Sequence, residues 1–176
     1  MRNPFEATRL WLGAVAGLVL LPHLSSAAPG VKPPPQEVTV KVLELKLPWQ
    51  RWERAQFLWD HFANKPEEMK FSTYNGVEWM KNYEVFSKEL VRKAAELKLD
   101  SESLRKALDR VLKHSHDRIA YLPVGAYQVT LGTRPVWVVT VKWEYPIKAE
   151  KAGLGHIRMF AYDQKTIRKL AYQTCK

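Results

Sequence analysis

Residues 134–146, RPVWVVTVKWEYP, leave the chain little choice of conformation. The stretch is rich in β-branched and aromatic residues and alternates at period two. Trp137, Val139, Val141, Trp143 and Tyr145 fall on one face, and Val136, Val138, Thr140, Lys142 and Glu144 on the other. A strand with one wholly apolar and aromatic face needs a cover. The nearest amphipathic segment is 101–119, with Leu104, Leu108, Val111, Leu112, Ser115 and Ile119 along one stripe. A sheet with a helix laid across it is the expected centre of the fold.

Residues 1–28 read as a secretory leader. Arg2 and Arg9 precede or flank a short polar segment, residues 10–21 are almost purely apolar, and Ser25, Ser26, Ala27 and Ala28 supply a small-residue exit. The apolar run is shorter than the ~20 residues of a spanning helix, and Pro22 and His23 interrupt it. The chain is therefore expected to be exported, to a periplasm or to the medium, touching the membrane only through this segment before cleavage. The remaining part, about 148 residues, is one ordinary domain. Its first stretch, 29–36 (PGVKPPPQ), is a Pro-rich disordered lead, and 37–176 forms the single folded domain. The sole cysteine, Cys175, excludes a disulfide scaffold; it is either a thiol with no role or one half of an intermolecular disulfide.

Residues 37–47 alternate with a change of phase near Val42 and Leu43, the mark of a bulged strand. Trp52, Ala55, Trp59 and Phe62 share one side of a helix over 49–63. Clustered tryptophans also suit a stacking platform for a sugar or a base, but helical spacing assigns these to the core. A loop over 64–76 with Phe71 and Tyr74 leads to the longest helix, 77–99, and Asp100 or Ser101 caps the next. After Pro123 and Gly125 the period becomes two. Strands are expected over 127–131, 135–145, 156–162 and 166–174, with a tight return at Gly132, Thr133 and Arg134. The fold class is α+β, with helices packed on one face of a four-stranded antiparallel sheet.

The formal net charge is +10. Residues 55–133 are nearly neutral, with 12 basic against 11 acidic residues, whereas 134–176 carry nine against three. A localised basic surface favours anionic partners. If the Trp137 phase lies under a helix, Lys142 faces outward, joined, depending on register, by Arg158, Phe160, Tyr162, Arg168 and Tyr172. Cations interleaved with rings suit an anionic polymer or a flat ligand. In the other arrangement, Phe160 and Tyr162 point inward, or the N-terminal strand and helix cover this face.

Motifs of chemistry are scarce. His114 and His116 point to different sides of a helix, and no third ligand is suitably spaced, so no metal site is assigned. There is no G-x-S-x-G turn, no H-E-x-x-H, no phosphate-cradling glycine loop and no dinucleotide fingerprint. No cofactor and no catalytic residue is assigned. The strand around Phe160 lacks the RNA-recognition pattern, so no specific nucleic acid is expected either.

The helix SESLRKALDRVLKHS, the strand VWVVTVKW and the hairpin MFAYDQKTIRKL together resemble small exported PepSY-type domains, and more broadly the cystatin-like arrangement of a helix on a sheet. Where PepSY domains usually have Gly after the hairpin Thr, this chain has Ile167. Residues 128–132, QVTLG, are similar to the protease-blocking hairpin of cystatins, with Thr130 in place of the usual Val. The resemblance implies a non-catalytic binder with an envelope role, or one that restrains peptidases. The leading expectation is a binding module that takes an anionic envelope polymer or a protein through Lys142, Arg158, Phe160, Tyr162, Arg168 and Tyr172, with the hairpin at Gly132 and Arg134. The alternatives are a peptidase-inhibitor-like module acting through the hairpin at Gly132 and Arg134, and a hydrolase without a recognisable motif.

Overall fold

A computed structural model describes residues 38–63, 79–114, 119–145 and 154–174. The expected leader, the expected Pro-rich lead, the expected loop with Phe71 and Tyr74, His116 and Cys175 lie outside the described residues. In chain order the elements are β1 (Thr39–Lys46), α1 (Glu53–Phe62), α2 (Trp79–Glu96), α3 (Ser101–Leu112), β2 (Ala120–Leu131), β3 (Arg134–Glu144), β4 (His156–Asp163) and β5 (Lys169–Thr174). The fold is α+β, and no helix among the described residues is long and apolar enough to cross a membrane.

Strands β2 to β5 form an antiparallel meander. The sheet nevertheless has five strands, in the order β1-β2-β3-β4-β5, because β1 pairs in parallel with β2. This corrects the expected four-stranded antiparallel sheet. Among the described residues three helices separate β1 from β2, and a connection of that length lets the chain return in the same direction. The expected bulge in β1 is present as a register shift between Val42 and Lys46.

Strand β2 begins well before the expected residue 127, and it contains Pro123 and Gly125. Pro123 precedes the β1 pairing, which starts at Gly125, so its missing N–H breaks no bond between β1 and β2. At Gly125 a Cβ would lie 2.6 Å from Thr140 Oγ1. Glycine alone lets the two strands pass at this distance, and the register shifts here.

Helices cover both faces of the sheet, not one. On one side α2 and α3 pack Phe86, Leu90, Leu104, Leu108 and Val111 against Ala126, Trp137, Val139, Val141 and Phe160. On the other side α1 packs Phe57, Leu58 and Phe62 against Tyr127, Val129, Val136, Val138 and Met159. The tryptophan face of β3 thus lies under a helix, as its composition demands, and the Trp137 indole donates to Ser103 Oγ at 2.8 Å. The opposite face is also sealed, because the N-terminal helix folds over it.

Local chemistry ends the helices. The Asp100 side chain accepts from the Ser103 N–H at 3.0 Å and so caps α3. Helix α2 closes with Leu99 N–H on Ala94 O and Lys98 N–H on Ala95 O, and Lys98 takes a φ of 57°. That left-handed position favours glycine. Lys98→Gly is expected to stabilise the fold by about 0.5–1 kcal/mol in urea unfolding, because relief of the left-handed strain exceeds the added chain entropy. A neutral or destabilising result would contradict this account of the cap.

Candidate anion-binding cleft

The segment Trp49–Arg54 precedes and enters α1, and Arg54 anchors it. Its guanidinium donates from Nε to Pro48 O at 2.9 Å, from Nη2 to Trp49 O at 2.7 Å and from Nη1 to Leu170 O at 3.4 Å. The last bond ties α1 to β5 across 116 residues of chain. Between them lies a cleft of about 580 Å³, lined by Arg51, Arg54, Arg168, Lys169 and Tyr172 among others.

Positive charge dominates this cleft. Burial first, and then the neighbouring charges of Arg168, Arg134 and Arg51, push the Arg54 guanidinium below its usual value. Arg54 therefore senses three other arginines. Arg134 reaches Asp163 at 3.5 Å, but among the described residues neither Arg51 nor Arg168 has an ion pair. Like charges held together in this way raise the energy of the empty site, and an anion that enters lowers it.

The Asp163 carboxylate closes the turn between β4 and β5. Its Oδ1 accepts from both the N–H and the hydroxyl of Thr166 at 2.9 Å, and Ile167 N–H donates to Asp163 O. Ile167, where the resemblance expects glycine, has a φ of 52°. Burial pushes the Asp163 carboxyl up, but the Thr166 hydrogen bonds and the Arg134 charge outweigh it and hold it below the usual 3.8. A depressed carboxylate contributes stability above its unfolded value, and the contribution is lost as pH falls through the folded one. The unfolding free energy should thus decline below about pH 4, and Asp163→Asn should flatten that decline. An equal acid dependence in both proteins would remove Asp163 from this role.

The structure divides the expected binding residues among several places. Lys142 is only 2% exposed and lies on the α1 side of the sheet, so the outward lysine is a correction. The pairing of Val141 with Arg158 puts Arg158 on the face opposite Lys142. Phe160 and Tyr162 are buried on that same opposite face, under α2 and α3. Arg158 is half-buried, with its guanidinium 4.1 Å from the Trp143 ring centre and 5.1 Å from that of Tyr121. It lines a smaller cavity of about 240 Å³ with His114, Tyr121, Phe160, Lys169 and Tyr172. Arg168 and Tyr172 do line the large cleft, and Arg134 adds its charge nearby.

At the hairpin between β2 and β3, Gly132 has a φ of 65°, and a Cβ there would lie 2.7 Å from the Trp49 ring. The hairpin is braced by that indole, while Thr133 and Arg134 stay exposed. Arg51, Arg54 and Lys169 were absent from the expected set. The interleaved Trp and Arg of WQRWER was the signal for Arg51 and Arg54 in the sequence, hidden because Trp52 was assigned to a buried helical stripe. In fact Trp52 precedes α1, and it is 74% exposed. No family model, curated protein or solved structure matches this chain.

Proposed function

We propose that the protein is a non-catalytic binding module that holds an anionic polymer in the cleft between α1 and β5, in the exported setting its leader implies. One observation carries this reading: Arg51, Arg54, Arg168 and Lys169 line one cleft, while Arg134, whose charge also reaches Arg54, is paired with Asp163. Cations that no neighbouring carboxylate balances are poised for an outside anion. Arginine suits the task because its planar fork grips carboxylate, sulfate or phosphate by two hydrogen bonds. The cleft volume lies in the range of sites that enclose drug-sized ligands, so it admits a short run of a polymer rather than a lone ion.

Tight binding should require low salt, since each neutralised anionic group releases counterions. The experiment is a titration with a soluble polyanion at several salt concentrations. Affinity that does not change with salt would remove the electrostatic basis of the reading.

A further inference from the structure

We infer that the polymer held in the arginine cleft is an acidic polysaccharide, read through its sugar rings as well as its charge; this rests on the reading just given. Trp49 is 66% exposed and Trp52 74% exposed, in the same short segment as Arg51 and Arg54. Burying an indole removes a large apolar surface from water, so two that stay open in one loop run against folding energetics. Three of the six exposed large apolar side chains among the described residues are Trp49, Trp52 and Tyr172. Tyr172 lines the cleft, and Arg54 ties the Trp49 carbonyl directly to it.

The loop is fixed. Arg54 grips the carbonyls of Pro48 and Trp49, and the Trp49 ring edge rests where Gly132 has no side chain. Indoles on a fixed loop need little ordering when they meet a ligand. A sugar ring offers the matching chemistry: an apolar C–H face for an indole, and a carboxylate or sulfate at its rim for an arginine fork. A linear polyphosphate has the charge without the face. A flat bilayer has the charge, but it cannot lower its headgroups to Arg54, which is part-buried beside Leu170. A single-stranded nucleic acid has both rings and charge, and it is the competitor the test must separate.

The test measures binding of three probes by calorimetry at low salt: a polyuronate oligosaccharide, inorganic polyphosphate and oligo-dT. The proteins are the full chain, Trp52→Ala, Trp52→Tyr and Arg168→Gln, each checked for unchanged thermal unfolding. Trp52→Ala should weaken the polyuronate five- to tenfold and polyphosphate less than twofold, and Trp52→Tyr should retain most of the affinity. Arg168→Gln should weaken both probes, and oligo-dT should bind less tightly than the polyuronate. Equal effects of Trp52→Ala on polyuronate and polyphosphate, or tighter oligo-dT binding, would overturn the polysaccharide inference and leave the anion-binding cleft standing. No binding of any of the three would overturn both.

Discussion

Trp137→Ala is expected to cost the fold about 3–5 kcal/mol, the range for truncating a large buried aromatic residue. The side chain is fully buried, on the sheet face that α2 and α3 cover. Its loss empties the middle of that core, and residues packed on a hydrogen-bonded sheet cannot collapse to fill the space. A second effect adds to the first. The indole N–H donates to Ser103 Oγ, which itself donates to Asp100 O at 2.9 Å, while Asp100 caps α3 through the Ser103 N–H. Trp137 therefore joins the central strand to the start of the helix above it.

Trp137→Phe separates the two effects. It keeps most of the packed volume and removes the hydrogen bond, and the Ser103 hydroxyl retains Asp100 O as its acceptor, so a loss of about 1–2 kcal/mol is expected. Urea unfolding followed by far-ultraviolet circular dichroism measures both without relying on tryptophan emission. A loss below about 1 kcal/mol for Trp137→Ala would mean that α3 does not depend on this core.

The largest effect on binding is expected from the double substitution Arg51→Gln and Arg168→Gln. With the four cations that line the cleft engaged, Arg51, Arg54, Arg168 and Lys169, affinity for a densely charged polyanion should fall on the order of 10²-fold between 50 and 200 mM salt. Removing two charges should lower the salt slope by about 2 and weaken low-salt binding by at least roughly tenfold. Arg54 is left in place because its guanidinium holds the Pro48 and Trp49 carbonyls and ties α1 to β5 through Leu170 O. Since Arg51 and Arg168 repel Arg54, the double variant should unfold no earlier than the parent without ligand, and slightly later at low salt. Unchanged affinity and slope would place the polyanion elsewhere on the molecule.

Legibility differed between the scaffold and the site. The alternation in 134–144 identified β3 and its buried tryptophan face, and the stripe of Leu104, Leu108 and Val111 after Asp100 identified the helix above it. These are local patterns, written wherever one side of an element meets a core. The excess charge after residue 134 also pointed to Arg168, and the Gly132 hairpin to Arg134. It missed their companions Arg51 and Arg54, which lie far away in the chain and reach β5 only because α1 folds back over the sheet.

The outward lysine failed for a different reason. Whether Lys142 and Arg158 share a face depends on how β3 and β4 pair, and a shift of one residue reverses the result. Trp52 failed through a boundary: the helical stripe included it, but α1 starts one residue later, and its indole stays in water.

The amino-acid sequence by itself determined the type of each main element and the apolar face of β3 and α3, though not every boundary, because periodicity and capping act over a few residues. Only the tertiary structure decided that β1 joins the sheet in parallel, that α1 seals its second face, and that arginines from two distant segments meet in one cleft. Those outcomes depend on pairing register and chain return, which arise from contacts between segments and have no local signature.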